Sequence, residues 1–441
     1  MPEAFQRHPG GQAIDGSMSL VADAPSSPRA RAFPALHHPD YRSYAWSVAL
    51  AMAGDNVEHV IGYWLIWEIS QSPFWLGYAV FTHWIPFILF SAVAGTLADR
   101  LDSRLVIQVS QALYMSCSLA WGVLALTGRL ELWHVAVILV VHGLAGVVFG
   151  PSSMLIIHEM VGPRDLVSAI SLNAASRNLA LMVGPIVGGA LLASVGPGTG
   201  FLINILIYLP LSVVLFKLPY KGIVAASTRG EGWRGYLAGF RAVRRSRLIL
   251  GLLCVGGVGS FLVGSAFQAM MPVFAVEVLG VREFGYSLLL SSFGLGSVIG
   301  AVILGLQGSV LPRPALVTAS ALTWSLCVGA FALSRWFPLS VALLLGAGAS
   351  MMLFSSMGQT IIQTWSPPAL RGRVVGLYSM ISMGPRAFSG LLVGGFATAS
   401  GAPAALATFS ALIVIVTLGM GALVREIWGL APIRPAEEPH P

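Results

Sequence analysis

Residues 74–126 read FWLGYAVFTHWIPFILFSAVAGTLADRLDSRLVIQVSQALYMSCSLAWGVLAL, with an apolar run on either side of the charged loop ADRLDSR. Each run is long enough for a helix that crosses a bilayer, which needs about 20 apolar residues. Twelve runs of roughly this length occur, at 44–67, 74–97, 105–126, 133–157, 167–193, 201–218, 248–278, 285–306, 315–334, 338–362, 374–399 and 403–424. The sequence therefore predicts an all-α integral membrane protein with twelve transmembrane helices.

Composition supports this prediction. Charged residues make up 10% of the chain, whereas a soluble domain contains about 25%. The net charge of +7 indicates attraction to anionic membrane lipids rather than to nucleic acid, because no basic stripe with interleaved aromatic residues occurs. The three cysteines each lie inside an apolar run without metal-ligand spacing, so we expect neither a disulfide framework nor a metal site.

The basic residues predict the orientation of the chain. If the amino terminus is cytoplasmic, 20 of the 25 Lys and Arg residues fall in cytoplasmic segments. Three lie in the opposite loops and two, Arg177 and Arg386, lie inside apolar runs. Short loops rich in Lys and Arg stay on the cytoplasmic side. We therefore expect a multi-pass protein of a bacterial cytoplasmic membrane with both termini in the cytoplasm.

The chain divides into two similar halves. A polar connector at 219–246 separates a six-helix unit at 42–218 from a second unit at 247–425, with a disordered cytoplasmic tail at 1–41 and another tail at 426–441. Three short motifs recur at offsets of 203 to 208 residues: Gly77-Tyr78 with Gly285-Tyr286, Ser152-Ser153-Met154 with Ser355-Ser356-Met357, and Gly188-Gly189 with Gly394-Gly395. This repetition predicts two pseudo-symmetric six-helix bundles with a substrate site between them near the bilayer midplane.

The loop after the second run resembles a signature of the major facilitator superfamily. Gly95, Leu97-Ala98-Asp99-Arg100 and Arg104 match that signature, whereas Asp102 stands where the family usually has glycine. The stretch 367–374, PPALRGRV, resembles an element of the branch that includes enterobactin exporters and macrolide efflux proteins. The resemblance implies the major facilitator fold, function as a small-molecule carrier, and movement of two six-helix halves against each other.

The same resemblance implies a contact between the halves, which we name the cytoplasmic latch. The carboxylate of Asp99 is expected to approach a helix end of the opposite half, because the positive end of a helix dipole stabilises an anion. The alternative is a solvated loop that only sets topology. The predicted latch residues are Gly95, Asp99, Arg100, Arg104, Arg371 and Arg373.

Charges at membrane depth are the candidates for proton coupling. Asp55, Glu58 and His59 lie three and four residues apart in the first run, which places them on one face of a helix. Each intramembrane charge costs about 2.5 to 3.5 kcal/mol and so requires a partner or a water-filled cavity. Two interpretations remain open: these groups, with His142, exchange protons during transport, or Asp55 is permanently paired with Arg177 or Arg386.

Other polar and aromatic residues in the runs are candidates for the substrate cavity. Aromatic side chains suit an apolar ligand wall or an interfacial belt, and amides suit ligand contacts or hydrogen bonds between helices. His83 is a weaker candidate for carrying protons, because a lone intramembrane histidine more often hydrogen-bonds a neighbouring helix. The cavity candidates are Tyr63, Trp84, Arg177, Asn173, Gln268, Gln359, Gln363 and Arg386.

No catalytic or nucleotide-binding motif occurs in the sequence. We therefore expect a carrier rather than an enzyme, acting as a monomer without a cofactor and driven by the proton gradient. The favoured function is proton-coupled antiport that exports small amphipathic compounds such as drugs or siderophore-like molecules. The alternatives are a facilitator or a lysophospholipid flippase and, in another class, a non-transporting membrane sensor or scaffold.

Overall fold

The structure is a computed structural model that describes residues 33–98, 100–222, 240–241, 243–244, 246–306, 313–366 and 371–429. Within these ranges the chain is almost entirely helical, and no residue of them lies in a strand. Asp99, the tails at 1–32 and 430–441 and most of the connector fall outside the described residues. The predicted all-α class is confirmed.

The first half contains six helices. Helices α1, α2 and α3 span Pro39–Ser70, Pro73–Ala98 and Ser103–Leu126. The next segment, Leu132–Lys217, is helical except at Gly162 and Gly196, whose φ angles are 69° and 78°. Positive φ favours glycine, and the proline after each glycine suits the first position of a new helix. The segment is therefore three helices: α4 at 132–161, α5 at 163–195 and α6 at 197–217.

The second half repeats this plan with more interruptions. Helix α7 begins as Arg247–Leu262 and continues through the short segments Ala266–Ala269, Met271–Val273 and the π-helical turn Phe274–Val278. Helices α8, α9 and α10 span Glu283–Leu306, Pro314–Leu333 and Phe337–Trp365. Helix α11 consists of Arg371–Met383 and Arg386–Ser400, and α12 spans Ala402–Leu423. The described residues thus provide six helices in each half.

Length and apolar composition alone identify eight helical stretches in the described residues as able to cross a membrane. One of the eight is Leu132–Lys217, which makes three passes because of its two turns. The two helices that the criterion omits are α1, which carries several charged residues, and α11, which is interrupted between Met383 and Arg386. Together they account for the twelve passes that the sequence predicts.

The folded part extends beyond the predicted boundaries at both ends. A short 3₁₀ turn at Pro34–His37 precedes α1, and the hydroxyl of Tyr41 donates to the carbonyl of Ala169 on α5 at 2.9 Å. After α12, the turn Arg425–Trp428 packs through the buried Ile427. Residues 34–41 and 425–428 therefore belong to the bundles, because their apolar side chains are covered by helices.

The two halves meet through α2 against α11 and α5 against α8. A Cβ on Gly77 would overlap the carbonyl oxygen of Gly390, and a Cβ on Gly189 would overlap Ser287. The hydroxyl of Tyr286 on α8 also donates to the carbonyl of Val60 on α1 at 3.0 Å. The repeated glycine motifs thus lie at two equivalent contacts, where small residues let helices approach closely.

These contacts lie in the part of the bundle remote from the connector. Gly77 is four residues from the start of α2, about 6 Å along the helix axis. On the connector side, the segment Arg371–Met383 of α11 packs mainly on α7 and α10 of its own half, and Arg177 of α5 is exposed. Among the described residues, the close contacts between the halves therefore lie on the side away from the connector.

Candidate functional site: a histidine between two carboxylates

Two acids of α1 share one histidine of α4 inside the first half. Nδ1 of His142 lies 2.9 Å from a carboxylate oxygen of Glu58, and Nε2 lies 2.8 Å from a carboxylate oxygen of Asp55. The spacing of three residues places both acids on the same face of α1. His142 follows ten residues after the start of α4, which places it about 15 Å along that helix axis. The predicted coupling residues are thus brought together near the middle of the bundle.

The two contacts fix how many protons the cluster holds. A hydrogen bond needs one proton between each nitrogen and oxygen, so two protons lie on the two contacts. In one arrangement, both protons are on His142, which is then an imidazolium between two carboxylates. In the other, one proton is on a neutral imidazole and the second is on one of the two carboxyl groups. The net charge of Asp55, His142 and Glu58 is −1 in both cases. One further proton must be placed on a carboxylate, because both ring nitrogens of His142 are already engaged.

The two acids differ in their access to solvent. The side chain of Asp55 is 38% exposed, whereas Glu58 and His142 are 3% and 1% exposed. Glu58 also accepts a hydrogen bond from the hydroxyl of Ser118, and the amide of Asn204 donates to the same hydroxyl at 3.2 Å. The cluster is therefore a short chain with one end open to solvent and the other end buried among polar groups.

Local sequence explains why the buried end is so closely packed. Gly54 lacks a side chain where α1 meets α6, and a Cβ there would lie 3.2 Å from the amide oxygen of Asn204. The same amide donates to the carbonyl of Gly54 at 3.0 Å. Asn204 therefore links the backbone of α1 to the Ser118 hydroxyl of α3, and it holds Glu58 in position through that hydroxyl.

A small cavity adjoins the cluster. Its volume is about 10 Å³, and Glu58, His59, Tyr63, Trp121 and His142 are among the side chains that line it. This volume is about what one water molecule requires. The indole nitrogen of Trp121 is buried without a hydrogen-bond partner, so the cavity offers one unused donor next to the carboxyl group of Glu58.

Two further histidines lie against His142. Ring nitrogens of His59, His83 and His142 all lie within 4.8 Å of one another, a spacing that also suits a metal ion. Both nitrogens of His142 are engaged by carboxylates, however, and Nδ1 of His59 donates to the carbonyl of Asp55 at 2.8 Å. The arrangement favours hydrogen bonding over metal binding, and the expected absence of a metal site stays a prediction.

The arginines do not pair with Asp55 in the described residues. The ion-pair partners of Asp55 are His142 and His59. Arg386 instead lies over the ring of Trp84, with its guanidinium carbon 5.4 Å from the ring centroid, and Arg177 is exposed. Asp55 is therefore held by histidines in this conformation, and the arginines belong to a different part of the cavity.

The remaining cavity candidates are dispersed. Tyr63 lines the small cavity beside Glu58, and Gln359 and Gln363 are exposed on α10. Gln268 is partly buried in an interrupted part of α7. Asn173 lies apart, beside Tyr41 and Tyr44 in a second small cavity at the connector side. These candidates do not form one cluster with the acids.

The cytoplasmic latch lies mostly outside the described residues. Asp99 is not described, nor are the side chains of Arg371 and Arg373. Arg104 contacts its own half: its guanidinium donates to the carbonyl of Leu218 at 2.8 Å and lies 3.5 Å from Asp102. The contact of Asp99 with the second half, with Gly95 and the exposed Arg100 beside it, stays a prediction.

A second contact ties the start of the connector to the first half. The pKa of Tyr220 is raised because its hydroxyl donates to the carboxylate of Asp40 at 3.0 Å. The carboxylate of Glu159 accepts from the backbone N–H groups of Lys221 and Gly222. Residues 218–222 therefore close the connector side of the first bundle.

Sequence reasoning missed part of the cluster. Four further residues contact or surround its members: Ser118, Asn204, Tyr114 and His83. Of these four, only His83 is a candidate on the basis of the sequence. Serine and asparagine are ordinary in packed membrane helices, so their type gives no sign of a site. The single useful signal was the presence of histidine in both the second and the fourth apolar run.

A polytopic helical bundle with a buried acid–histidine cluster defines a membrane transporter of the major facilitator type. The family model described as "Transmembrane secretion effector" matches residues 30–429. The chain belongs to this family, which confirms the resemblance found in the sequence. It is a multi-pass membrane transporter rather than an enzyme, because the matched proteins and structures are all transporters.

Three relatives illustrate the match. The "Multidrug efflux pump Tap" of Mycobacterium tuberculosis is 26% identical over 414 residues, which cover 89% of this chain and 96% of the relative. The "Enterobactin exporter EntS" of Shigella boydii is 26% identical over 337 residues, 75% of this chain and 76% of the relative. "Macrolide efflux protein A" of Streptococcus pyogenes is 23% identical over 319 residues, 71% and 78% of the two chains.

The fold agrees with solved transporters. The crystal structure of a D-xylose–proton symporter aligns with a TM-score of 0.71, and the alignment covers 88% of this chain and 99% of the symporter. Sequence identity in that alignment is 13%, so the likeness concerns the fold alone.

Proposed function

We propose that this protein is a proton-coupled exporter of small amphipathic compounds, such as drugs or siderophore-like molecules. It acts as a monomer in a bacterial cytoplasmic membrane, with both termini in the cytoplasm and the proton gradient as its energy source. The names of the relatives support export, and the distribution of Lys and Arg supports the orientation. The observation that carries the proposal is the placement of His142 between the carboxylates of Asp55 and Glu58.

The cluster suits proton transfer because its two ends differ. Asp55 is partly exposed and can exchange a proton with water, whereas Glu58 is buried and is linked to Asp55 through His142. An imidazole that contacts two acids can accept a proton on one nitrogen while it donates from the other. Each of the two protons then needs to move only along its own hydrogen bond for the negative charge to pass from one carboxyl group to the other.

Alternating access gives this transfer a direction. In the conformation with the connector side open, cargo enters from the cytoplasm and the cluster releases its proton to the same side. When the opposite side opens, cargo leaves and a proton enters at Asp55. Return of the protonated carrier completes one exchange of a proton for a cargo molecule, as expected for an antiporter.

Inside-out membrane vesicles test the proposal. Vesicles that contain the protein are energised to an acidic interior and offered a panel of antibiotics and dyes, with and without an uncoupler. We expect accumulation of at least one compound, and we expect the uncoupler to abolish it. Accumulation that is insensitive to the uncoupler contradicts proton coupling, equilibration without accumulation indicates a facilitator, and no movement of any compound indicates a sensor or scaffold.

Conservative substitutions then locate the coupling. Glu58→Gln keeps a side chain that can hydrogen-bond to His142 and Ser118 but removes the titratable group. We expect this variant to exchange cargo across the membrane without a gradient and to lose uphill accumulation. The matched control is Glu68→Gln, which lies ten residues further along α1 and whose carboxylate accepts a hydrogen bond from the indole of Trp64. Loss of uphill accumulation in both variants would contradict a specific role for Glu58.

A further inference from the structure

Two arginines occupy related places in the two halves. Arg177 lies eleven residues before the Gly188-Gly189 pair of α5, and Arg386 lies eight residues before the Gly394-Gly395 pair of α11. The difference of three residues is about one helical turn, so both side chains lie at similar depths on equivalent helices.

Neither arginine has an acidic partner among the described residues. The ion pairs found there involve histidines and Arg104. Nε of Arg386 is buried and makes no hydrogen bond, and Arg177 points into exposed space. Charged groups at membrane depth normally pair with one another, because an unpaired charge is costly. Two unpaired cations at related places in the two halves therefore indicate a site for an anion from outside the chain.

The surroundings of Arg386 are apolar and aromatic. The guanidinium lies 5.4 Å from the centroid of the Trp84 ring, and Trp84 packs against Phe87 at 4.9 Å. Phe81 of α2 faces Phe388 of α11 at 6.2 Å. An aromatic wall next to the cation of Arg386 suits a ligand that has both a flat apolar body and a negative group, since guanidinium groups bind carboxylate and phosphate in a fork geometry.

We infer that Arg177 and Arg386 form an anion-binding subsite, and that the cargo is an amphipathic organic anion whose ring lies on the aromatic wall. This inference rests on the proposed function and names its substrate class. The negative group is a carboxylate, sulfonate or phosphate, each of which accepts charge-assisted hydrogen bonds from two guanidinium groups.

A pair of dyes with the same ring system and opposite charge tests the inference. Sulforhodamine B is a net anion and rhodamine 6G is a cation, and both fluoresce strongly enough for anisotropy measurements on the purified full-length protein. We expect sulforhodamine B to bind roughly tenfold or more tightly than rhodamine 6G. Equal binding of the two dyes, preference for the cation, or no binding of sulforhodamine B would overturn the inference.

Three variants assign the binding to the arginines. Arg386→Gln and Arg177→Gln should each weaken sulforhodamine B binding roughly 10- to 100-fold, while Arg386→Lys should retain part of the affinity. The matched control is Arg335→Gln, an exposed arginine in the loop before α10, which should bind as the wild type does. An unchanged affinity in Arg386→Gln would contradict the assignment.

Thermal unfolding separates a binding role from a structural one. Removal of an uncompensated buried charge should leave the melting temperature of the ligand-free Arg386→Gln protein unchanged or raise it. A structural arginine predicts a lower melting temperature, and that result would overturn the inference. The vesicle assay is independent: uphill transport without anion preference refutes only the subsite, and anion binding without uphill transport refutes only the proposed export.

Discussion

The two halves share one helical plan but differ in what they enclose. The first half buries Asp55, Glu58 and His142 in a hydrogen-bonded cluster. At the offset of the serine motif shared by α4 and α10, Leu345 stands in the place of His142, and at the offset of the Gly-Tyr motif Ala266 stands in the place of Glu58. The same fold therefore forms with apolar residues at these positions.

This difference separates what the fold requires from what the function requires. Three glycines of the recurring motifs, Gly77, Gly189 and Gly394, lie where the halves contact each other, so they serve packing. The acids and the histidine occur in the first half only, and each intramembrane charge costs about 2.5 to 3.5 kcal/mol on insertion scales. We infer that the first half binds and releases the proton. The second half contributes Arg386 and the surface that moves against the first half during transport.

The largest effect is expected from His142→Gln. Glutamine cannot carry a proton between Asp55 and Glu58, so uphill transport should fall about 100-fold or more, in line with the loss of a general acid–base group. The measurement is accumulation of an exported compound in energised vesicles. His158→Gln, a histidine further along α4, is the control and should retain activity. If His142→Gln accumulated the compound as the wild type does, coupling would not depend on this histidine. The two halves would then not differ in the way proposed.

A smaller but clear effect is expected from Gly77→Ala. Its Cβ would overlap the carbonyl of Gly390, so α2 and α11 must separate and the closed side of the bundle must loosen. We expect transport to fall roughly tenfold, because packed interfaces do not deform continuously, and spin-label distances between the halves on that side to increase. Gly395→Ala, where a side chain meets nothing within 4 Å, is the control. Unchanged distances in Gly77→Ala would argue against the closed contact.

The smallest effect is expected from Tyr286→Phe, which removes the hydrogen bond to the carbonyl of Val60. A hydrogen bond of this kind contributes about 1 kcal/mol, so the population of the conformation open toward the connector should fall about fivefold relative to the other. Tyr78→Phe is the control, because Tyr78 occupies the corresponding motif of the first half and its hydroxyl makes no hydrogen bond among the described residues. Spin-label distance distributions measure the conformational populations of both variants. Equal shifts in the two variants would contradict the proposed difference between the halves.

Sequence alone predicts the fold because apolar length and loop charge are local properties. The twelve passes, with the breaks near Gly162 and Gly196, and the two repeated halves follow from these patterns. The structure adds the interruptions of α7 after Leu262 and of α11 between Met383 and Arg386. The pairing of His142 with both Asp55 and Glu58 could not be predicted, because it depends on how α1 packs against α4. Helix spacing placed the two acids on one face but gave no information about the neighbouring helix.

We expect the cluster of Asp55, His142 and Glu58 to bind and release a proton. Infrared difference spectroscopy of the protein in lipid membranes, titrated between about pH 5 and pH 8, tests it without knowledge of the cargo. We predict a carboxylic acid band that appears on acidification in the wild type and is absent from the Asp55→Asn, Glu58→Gln double variant. A wild-type spectrum without such a band, or an undiminished band in the double variant, would contradict proton binding by this cluster.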